Sequence, residues 1–169
     1  MWAKTWACGQ KRGQKFLRRS SPAYRPTRLL IWVQLMSATI FSMNPIHHIT
    51  LSVSDLKQTS DWYLKLFGDA EVIHREGEGW HRVRLNWANG LVLSFAKHDQ
   101  SIPTEKFSHL RIGLDHIGIS CRDEVEVIDW FNKLEALQVE HGPIEDAPYG
   151  WAVTARDPDN IPVEFYCPK

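Results

Sequence analysis

The chain has 169 residues, 43% of them hydrophobic, and a formal net charge of zero, which is enough apolar content for one sizeable core and argues against disorder. The neutrality conceals an asymmetry: residues 1–43 carry eight Lys and Arg and no acid, leaving twelve basic against twenty acidic side chains in the remainder. An acidic body is a poor nucleic-acid binder, and no run reaches the roughly 20 apolar residues of a membrane span.

The basic stretch over residues 1–28 is followed by an apolar run from Leu29 to Met36, broken by Gln34. Arg-rich, acid-free composition is that of a mitochondrial transit peptide, and basic-then-apolar order is that of a secretory signal, although no small-residue cleavage site follows before Met43. We expect an N-terminal extension over residues 1–43, either a targeting segment or sequence upstream of a true start at Met43, and one domain over residues 44–169. Cys8, Cys121 and Cys167 make no even set and no CxxC spacing. They are expected to be free thiols in a reducing compartment, hence a cytoplasmic protein unless the extension directs organelle import.

An internal repeat organises the rest. At an offset of 68, His48, Ile49, Ser52, Asp55, Asp61, Trp62, Lys65 and Leu66 recur as His116, Ile117, Ser120, Asp123, Asp129, Trp130, Lys133 and Leu134, eight identities in nineteen positions. Farther on the offset becomes 71, pairing Gly79-Trp80 with Gly150-Trp151, Asn89 with Asn160 and Val92 with Val163. A period this long is that of two small modules sharing one domain rather than a solenoid.

The first module, residues 46–98, opens with a strand from His48 to Val53. Asp55 then caps a helix whose apolar set is Leu56, Trp62, Tyr63, Leu66 and Phe67 and which Gly68 stops. Strands follow over 71–75, 80–87 and 90–96, with an Asn89-Gly90 turn. Residues 99–113 are a linker. The second module, residues 114–168, repeats the order: a strand over 115–121, a helix over 122–136, Val139-Glu140-His141 as the match to Val72-Ile73-His74, and strands over 151–156 and 162–166 about the Asp157-Pro158-Asp159-Asn160 turn.

On the last strand, alternation places Glu164 on one face with Pro162 and Tyr166, and Val163 and Phe165 on the other, toward the helices. A carboxylate among apolar residues needs a counter-charge, and a metal held by His48 and His116 would supply one. Singly, each histidine reads as a packed interface side chain; together, at repeat-equivalent positions with Glu164 in phase, they read as ligands. Two imidazoles and a carboxylate with open positions suit Fe(II) first and Mn(II) or another divalent metal second. His141 and Tyr166 are the candidate catalytic groups, for proton transfer and hydrogen-bond donation. His47 and His81 are expected at the surface, Trp62 and Trp130 as structural, and Trp80, Trp87 and Trp151 as core or pocket walls.

His48 to Leu56 leading into Trp62-Tyr63, the Asp115-His116-Ile117-Gly118-Ile119 strand, and Asp157 to Tyr166 together make the chain from about residue 46 to 168 resemble the vicinal oxygen chelate superfamily. That group includes glyoxalase I, extradiol ring-cleaving dioxygenases, fosfomycin-resistance thiol transferases, methylmalonyl-CoA epimerase and bleomycin-binding proteins. The resemblance implies an α+β fold in which two paired βαβββ modules form a U-shaped mixed sheet around a central cleft. It also implies a divalent metal on His48, His116 and Glu164, and a small-molecule substrate, with no nucleic-acid or membrane partner; a homodimer is compatible with the class. With Leu93 at the position expected of a fourth ligand, a three-ligand site resembles extradiol dioxygenases more than glyoxalase I. The resulting expectation is a metal-dependent enzyme acting on a vicinally oxygenated small molecule, dioxygenase-like. The alternatives are a non-catalytic drug- or metabolite-binding protein and a glyoxalase-like lyase or isomerase.

Overall fold

Two aspartates start the two helices. Asp55 and Asp123 lie in extended backbone and accept from the amides of Gln58 (2.9 Å) and Glu126 (3.0 Å), each satisfying an otherwise orphaned helix-end donor for about 1 kcal/mol. From these caps run α1 (Leu56–Phe67) and α2 (Glu124–Ala136). The computed structural model describes residues 45–100 and 106–169. Around the helices it holds β1 (Ile49–Ser52), β2 (Glu71–Gly77), β3 (Trp80–Asn86), β4 (Val92–His98), β5 (Ile117–Ser120), β6 (Glu145–Ala147), β7 (Gly150–Arg156) and β8 (Pro162–Pro168). The basic extension, its Leu29 to Met36 run and Cys8 lie outside the described residues. No helix among the described residues is long and apolar enough to cross a membrane.

Each module makes its own four-stranded mixed sheet, in the orders β1-β4-β3-β2 and β5-β8-β7-β6. The first strand of each module pairs parallel with the last, and the remaining pairs are antiparallel. This is the expected α+β class of paired βαβββ modules. Among the described residues β1 and β5 are edge strands, each hydrogen-bonded on one side.

Two sequence expectations are corrected. First, Leu93 is not the counterpart of Glu164. Ile49 lies opposite Leu93 while its repeat mate Ile117 lies opposite Val163, so the offset in the last strands is 70 and Ser94 is the residue equivalent to Glu164. The turns agree: the left-handed positions are Gly90 (φ 90°) and Asn160 (φ 71°), each with its amide on the carbonyl three residues back, Trp87 or Asp157. Matching Asn89 to Asn160 by identity missed that the turn demands a residue tolerant of positive φ. A one-residue slip exchanges the faces of a strand; Leu93 and Val163 are both fully buried on the helix side. Second, residues 139–141 form no strand. His141 makes only a single bridge, to Ala155, because Pro143 has no amide to continue the ladder, and pairing resumes at Glu145.

The helix-side faces of both sheets share one core. Phe67 of α1 meets Trp130 of α2 (centroids 5.8 Å apart) and Phe165 of β8 (6.0 Å), and Trp130 stacks on Phe165 at 4.1 Å, contacts of the kind that add to burial itself. With those faces turned inward, the two open sheet faces turn outward. The β7–β8 turn clasps the modules together. Ser54 donates its amide to Asp159 Oδ2 (2.9 Å), the Tyr63 hydroxyl donates to Asp157 Oδ2 (3.4 Å), and Asn160 Nδ2 donates to the Phe107 carbonyl (3.0 Å).

Asp157 is buried, and its Oδ1 accepts from the amides of Asp159 (3.0 Å) and Ile161 (2.7 Å). Burial pushes its carboxyl up to about 6, with the Asp159 charge adding to the rise and the hydrogen bonds opposing it. A folded pKa above the unfolded value of about 3.9 means that the folded state holds the proton more tightly. The stability from this group is therefore greatest below about pH 4 and is lost through about pH 6, on the order of 3 kcal/mol. Asp157→Asn keeps the Oδ1 acceptor and removes the charge. The melting temperature of D157N minus that of the wild type is expected to rise as pH goes from about 4 to about 7, and a difference that stays flat in thermal melts contradicts this account.

Candidate metal centre

His116 ends the segment leading into β5, and Glu164 stands opposite Gly118 in the β5–β8 pair, so the imidazole and the carboxylate meet on the open face of the second sheet. His116 Nε2 is 3.6 Å from Glu164 Oε2, with the side chains 45% and 27% exposed. Gly118 lies beside the pair, where a Cβ would make only ordinary contact with Glu164 Oε2, at 3.9 Å. The other ring nitrogen is fixed: His116 Nδ1 lies 2.8 Å from Asp115 Oδ1. A carboxylate only accepts, so Nδ1 carries the hydrogen and donates it. The bond from His116 holds the Asp115 carboxyl below its usual range.

This fixes what Nε2 presents. With the ring neutral, Nε2 is a lone pair aimed at a carboxylate oxygen with no hydrogen between them, an arrangement a shared cation relieves. Bonds of about 2.1 Å to a small divalent ion span such a separation at ordinary ligand angles. A carboxylate behind a liganding imidazole is the usual support for the ligand tautomer. The pair therefore fits two corners of a metal site.

His48 occupies the equivalent place on the first module, ahead of β1 and exposed, but on the other sheet's open face. Among the described residues no three of His, Cys, Asp and Glu gather closely enough within the chain to hold a metal ion. The structure thus brings His116 and Glu164 together and does not bring His48 to them. Desolvation, then the Arg84 guanidinium, His47 and Arg82, lowers the His48 pKa below the ordinary value, which favours the neutral, ligating form. His47 is exposed as expected, yet its ring does not turn away: its Nδ1 lies 2.9 Å from His48 Nδ1, because regular alternation starts only at Ile49. His81 is exposed, 3.7 Å from Glu76.

The two catalytic candidates separate. His141 lies on the helix side, with its ring edge-on to Phe131 of α2 at 5.0 Å and Nε2 3.4 Å from Glu135, so the sheet stands between it and Glu164. Its bridge to Ala155 puts it in the place of Val72, opposite Leu85 in the first module. Tyr166 is on the face of Glu164, two residues on, and donates its hydroxyl hydrogen to the Tyr149 carbonyl at 2.8 Å. That leaves the oxygen as an acceptor. A cavity of about 550 Å³ at the β2–β3 hairpin is lined by Leu56, His74, Arg75, Glu76, His81 and Arg82; its lining includes neither His116 nor Glu164.

On the first module, the corner equivalent to Glu164 is Ser94, fully buried, with Arg84 Nε donating to its Oγ at 3.3 Å. A cation stands where a fourth carboxylate ligand would be needed. Sequence reasoning missed Asp115, Arg84 and Ser94. The Asp-His dipeptide and the alternation of Arg82 and Arg84 along β3 were the available signals.

The chain belongs to the Glyoxalase/Bleomycin resistance protein/Dioxygenase superfamily, whose model matches residues 45–165. Among solved structures it is similar to a glyoxylase/bleomycin resistance protein/dioxygenase domain from Frankia sp. EAN1pec, at 26% identity and a TM-score of 0.68, over 76% of this chain and 100% of that one. It shares its fold with a variant of the fosfomycin resistance protein FosX from Listeria monocytogenes, complexed with Mn(II) and 1S,2S-dihydroxypropylphosphonic acid. That match has 24% identity and a TM-score of 0.54, over 73% of this chain and 92% of that one. It shares its fold also with a lactoylglutathione lyase from Agrobacterium tumefaciens, at 21% identity and a TM-score of 0.56, over 75% and 95%. No curated protein matches it.

Replacing Arg84 with Gln removes one of the charges acting on His48, so the His48 titration midpoint is expected to move up toward the ordinary histidine value. NMR of the ring protons against pH reads the shift directly, and an unmoved midpoint contradicts the assignment.

Proposed function

We propose that this protein is a divalent-metal-dependent enzyme acting on a small molecule with two vicinal oxygens, and that its metal is held by His116 and Glu164 of one copy and His48 of a second. The observation that carries the reading is the His116 Nε2–Glu164 Oε2 pair at 3.6 Å, with the tautomer set by Asp115. Fe(II) or Mn(II) suits such a donor set, and Mn(II) is the metal named in the FosX complex.

The second copy follows from topology. Among the described residues β1 and β5 are both unpaired on their outer edges, and an open edge is a template for another strand. Pairing β1 of one copy beside β5 of the other makes one continuous open face and closes the U-shaped sheet around a cleft. It also puts His48, just ahead of β1, beside the His116–Glu164 pair, just ahead of and opposite β5. Twofold symmetry then makes two such sites per dimer.

The bound metal supplies Lewis-acid polarisation of the two chelated oxygens. Asp115 keeps Nδ1 protonated, so His116 offers a lone pair at Nε2 and does not compete for the substrate's proton. Tyr166, its hydrogen committed to Tyr149, accepts a hydrogen bond rather than giving one. His141, on the far side of the sheet, does not shuttle protons here. With neither a proton-shuttling histidine nor a donating tyrosine beside the pair, the placements count against extradiol-type oxygenation, and a non-oxidative lyase or isomerase reaction, whose proton transfer would fall to Glu164, comes first. Extradiol-type ring cleavage is the second reading, favoured by Ser94 in place of a fourth carboxylate, which leaves more than one coordination position for substrate and O₂.

Oxygen uptake by the metal-loaded protein on a catechol panel separates them: none is expected, and uptake with ring-opened product reverses the order. For the shared site, H48A and E164A, carrying different affinity tags, are co-expressed and the mixed dimer isolated. Each variant alone is expected to hold almost no metal, whereas the mixed dimer regains one intact site of two. Metal analysis that finds none in the mixed dimer sinks the two-copy site.

A further inference from the structure

The open face of the first sheet carries charge that nothing described in this chain balances. Strand alternation puts Arg82 and Arg84 of β3 on that face, with Arg75 of β2 directly across from Arg82 and Ser94 of β4 across from Arg84. Like charges on directly opposed positions repel. Among the described residues none of the three guanidinium groups has an ion-pair partner. The one acid of β2 or β3 on this face, Glu71, takes its hydrogen bond from Asn86 at 2.8 Å.

The arginines are nonetheless held. Arg82 lies over the Trp80 ring, its Cζ 5.0 Å from the centroid, and its Nε is buried with no hydrogen-bond partner. Arg84 commits only Nε, to Ser94, and keeps its two terminal nitrogens. Fixed guanidinium forks with unused donors are what bidentate recognition of an oxyanion requires. The repeat supplies the comparison: in register, the second module has Ala152 and Thr154 where the first has Arg82 and Arg84, and Glu164 where the first has Ser94. The arginines are therefore a property of one module, and the fold does not require them.

We infer that Arg82 and Arg84 form an oxyanion-recognition wall, binding a carboxylate or phosphonate group carried by the substrate. This rests on the metal-dependent reading for the word substrate, while the anion site itself needs no metal. The wall and His48 lie on the same sheet face, so an acid group held there leaves the rest of the molecule directed toward the second copy's His116–Glu164 pair. The substrate class is thus a vicinally oxygenated small acid rather than a neutral diol or catechol.

The test uses the full chain freed of metal and chelator, titrated with methylphosphonate, acetate and the neutral isostere acetamide, and followed by amide NMR. Saturable binding of at least one oxyanion is expected, with shifts centred on Arg82, Arg84 and Ser94, and the tighter of the two identifies the group. R82Q and R84Q are each expected to weaken it about tenfold or more, R84K less, and H116Q not at all; the spectra report folding of each variant. No saturable anion binding, equal response to acetamide, or unchanged affinity in both glutamine variants overturns the inference. The Mn(II) content of the wild type, measured on the same preparation, reports on the metal centre separately, so a failed wall with a loaded metal site is told apart from failure of the metal reading.

Discussion

The parallel pairing of each module's first strand with its last is the constraint on which the site depends: it brings the His116 imidazole and the Glu164 carboxylate to within 3.6 Å on one open face. Asp115 lies 2.8 Å from the other ring nitrogen, and the β5–β8 register sets Glu164 opposite Gly118. The equivalent pairing of β1 with β4 sets His48 on the first module's open face, just ahead of β1, and among the described residues the chain by itself does not bring it to the other two.

The fold was largely legible because its signals are local. Helix caps and strand alternation each recur at both copies of the repeat, and eight identities over the first strand and helix left the pairing of Asp55 with Asp123 and His48 with His116 unambiguous. Legibility failed where identity and conformation disagree. Asn89 resembles Asn160 in name, but Gly90 resembles it in backbone, and only the second resemblance sets which side chain shares a face with which. The same alternation that correctly turned Glu164 to the open face would have sent His141 to the helix side had it been carried through from Val72 and His74. Which open face meets which is a tertiary matter: it depends on Phe67 packing against Trp130 and Phe165, and no periodicity in the sequence encodes that contact.

The inward packing of the helices also explains how one chain can hold all three candidate ligands without assembling them. Each sheet needs its apolar face covered, and the helix-side faces cover one another around a common aromatic cluster. The polar faces, carrying His48 on one side and His116 with Glu164 on the other, lie away from that cluster. Buried Asp157 belongs to the same economy: a carboxyl raised to about 6 is tolerated because its turn ties α1 to the β7–β8 hairpin through Tyr63 and Ser54.

Because the second module repeats the first, positions that differ between them show what the shared fold does not dictate. Arg82 and Arg84 against Ala152 and Thr154 are such differences, in matching register on the open faces of the two sheets. Each open face can therefore change its side chains without disturbing the core that both modules share, so the surface of β3 can vary while β5 and β8 keep theirs. Duplication has in this way given one fold two independently adjustable faces.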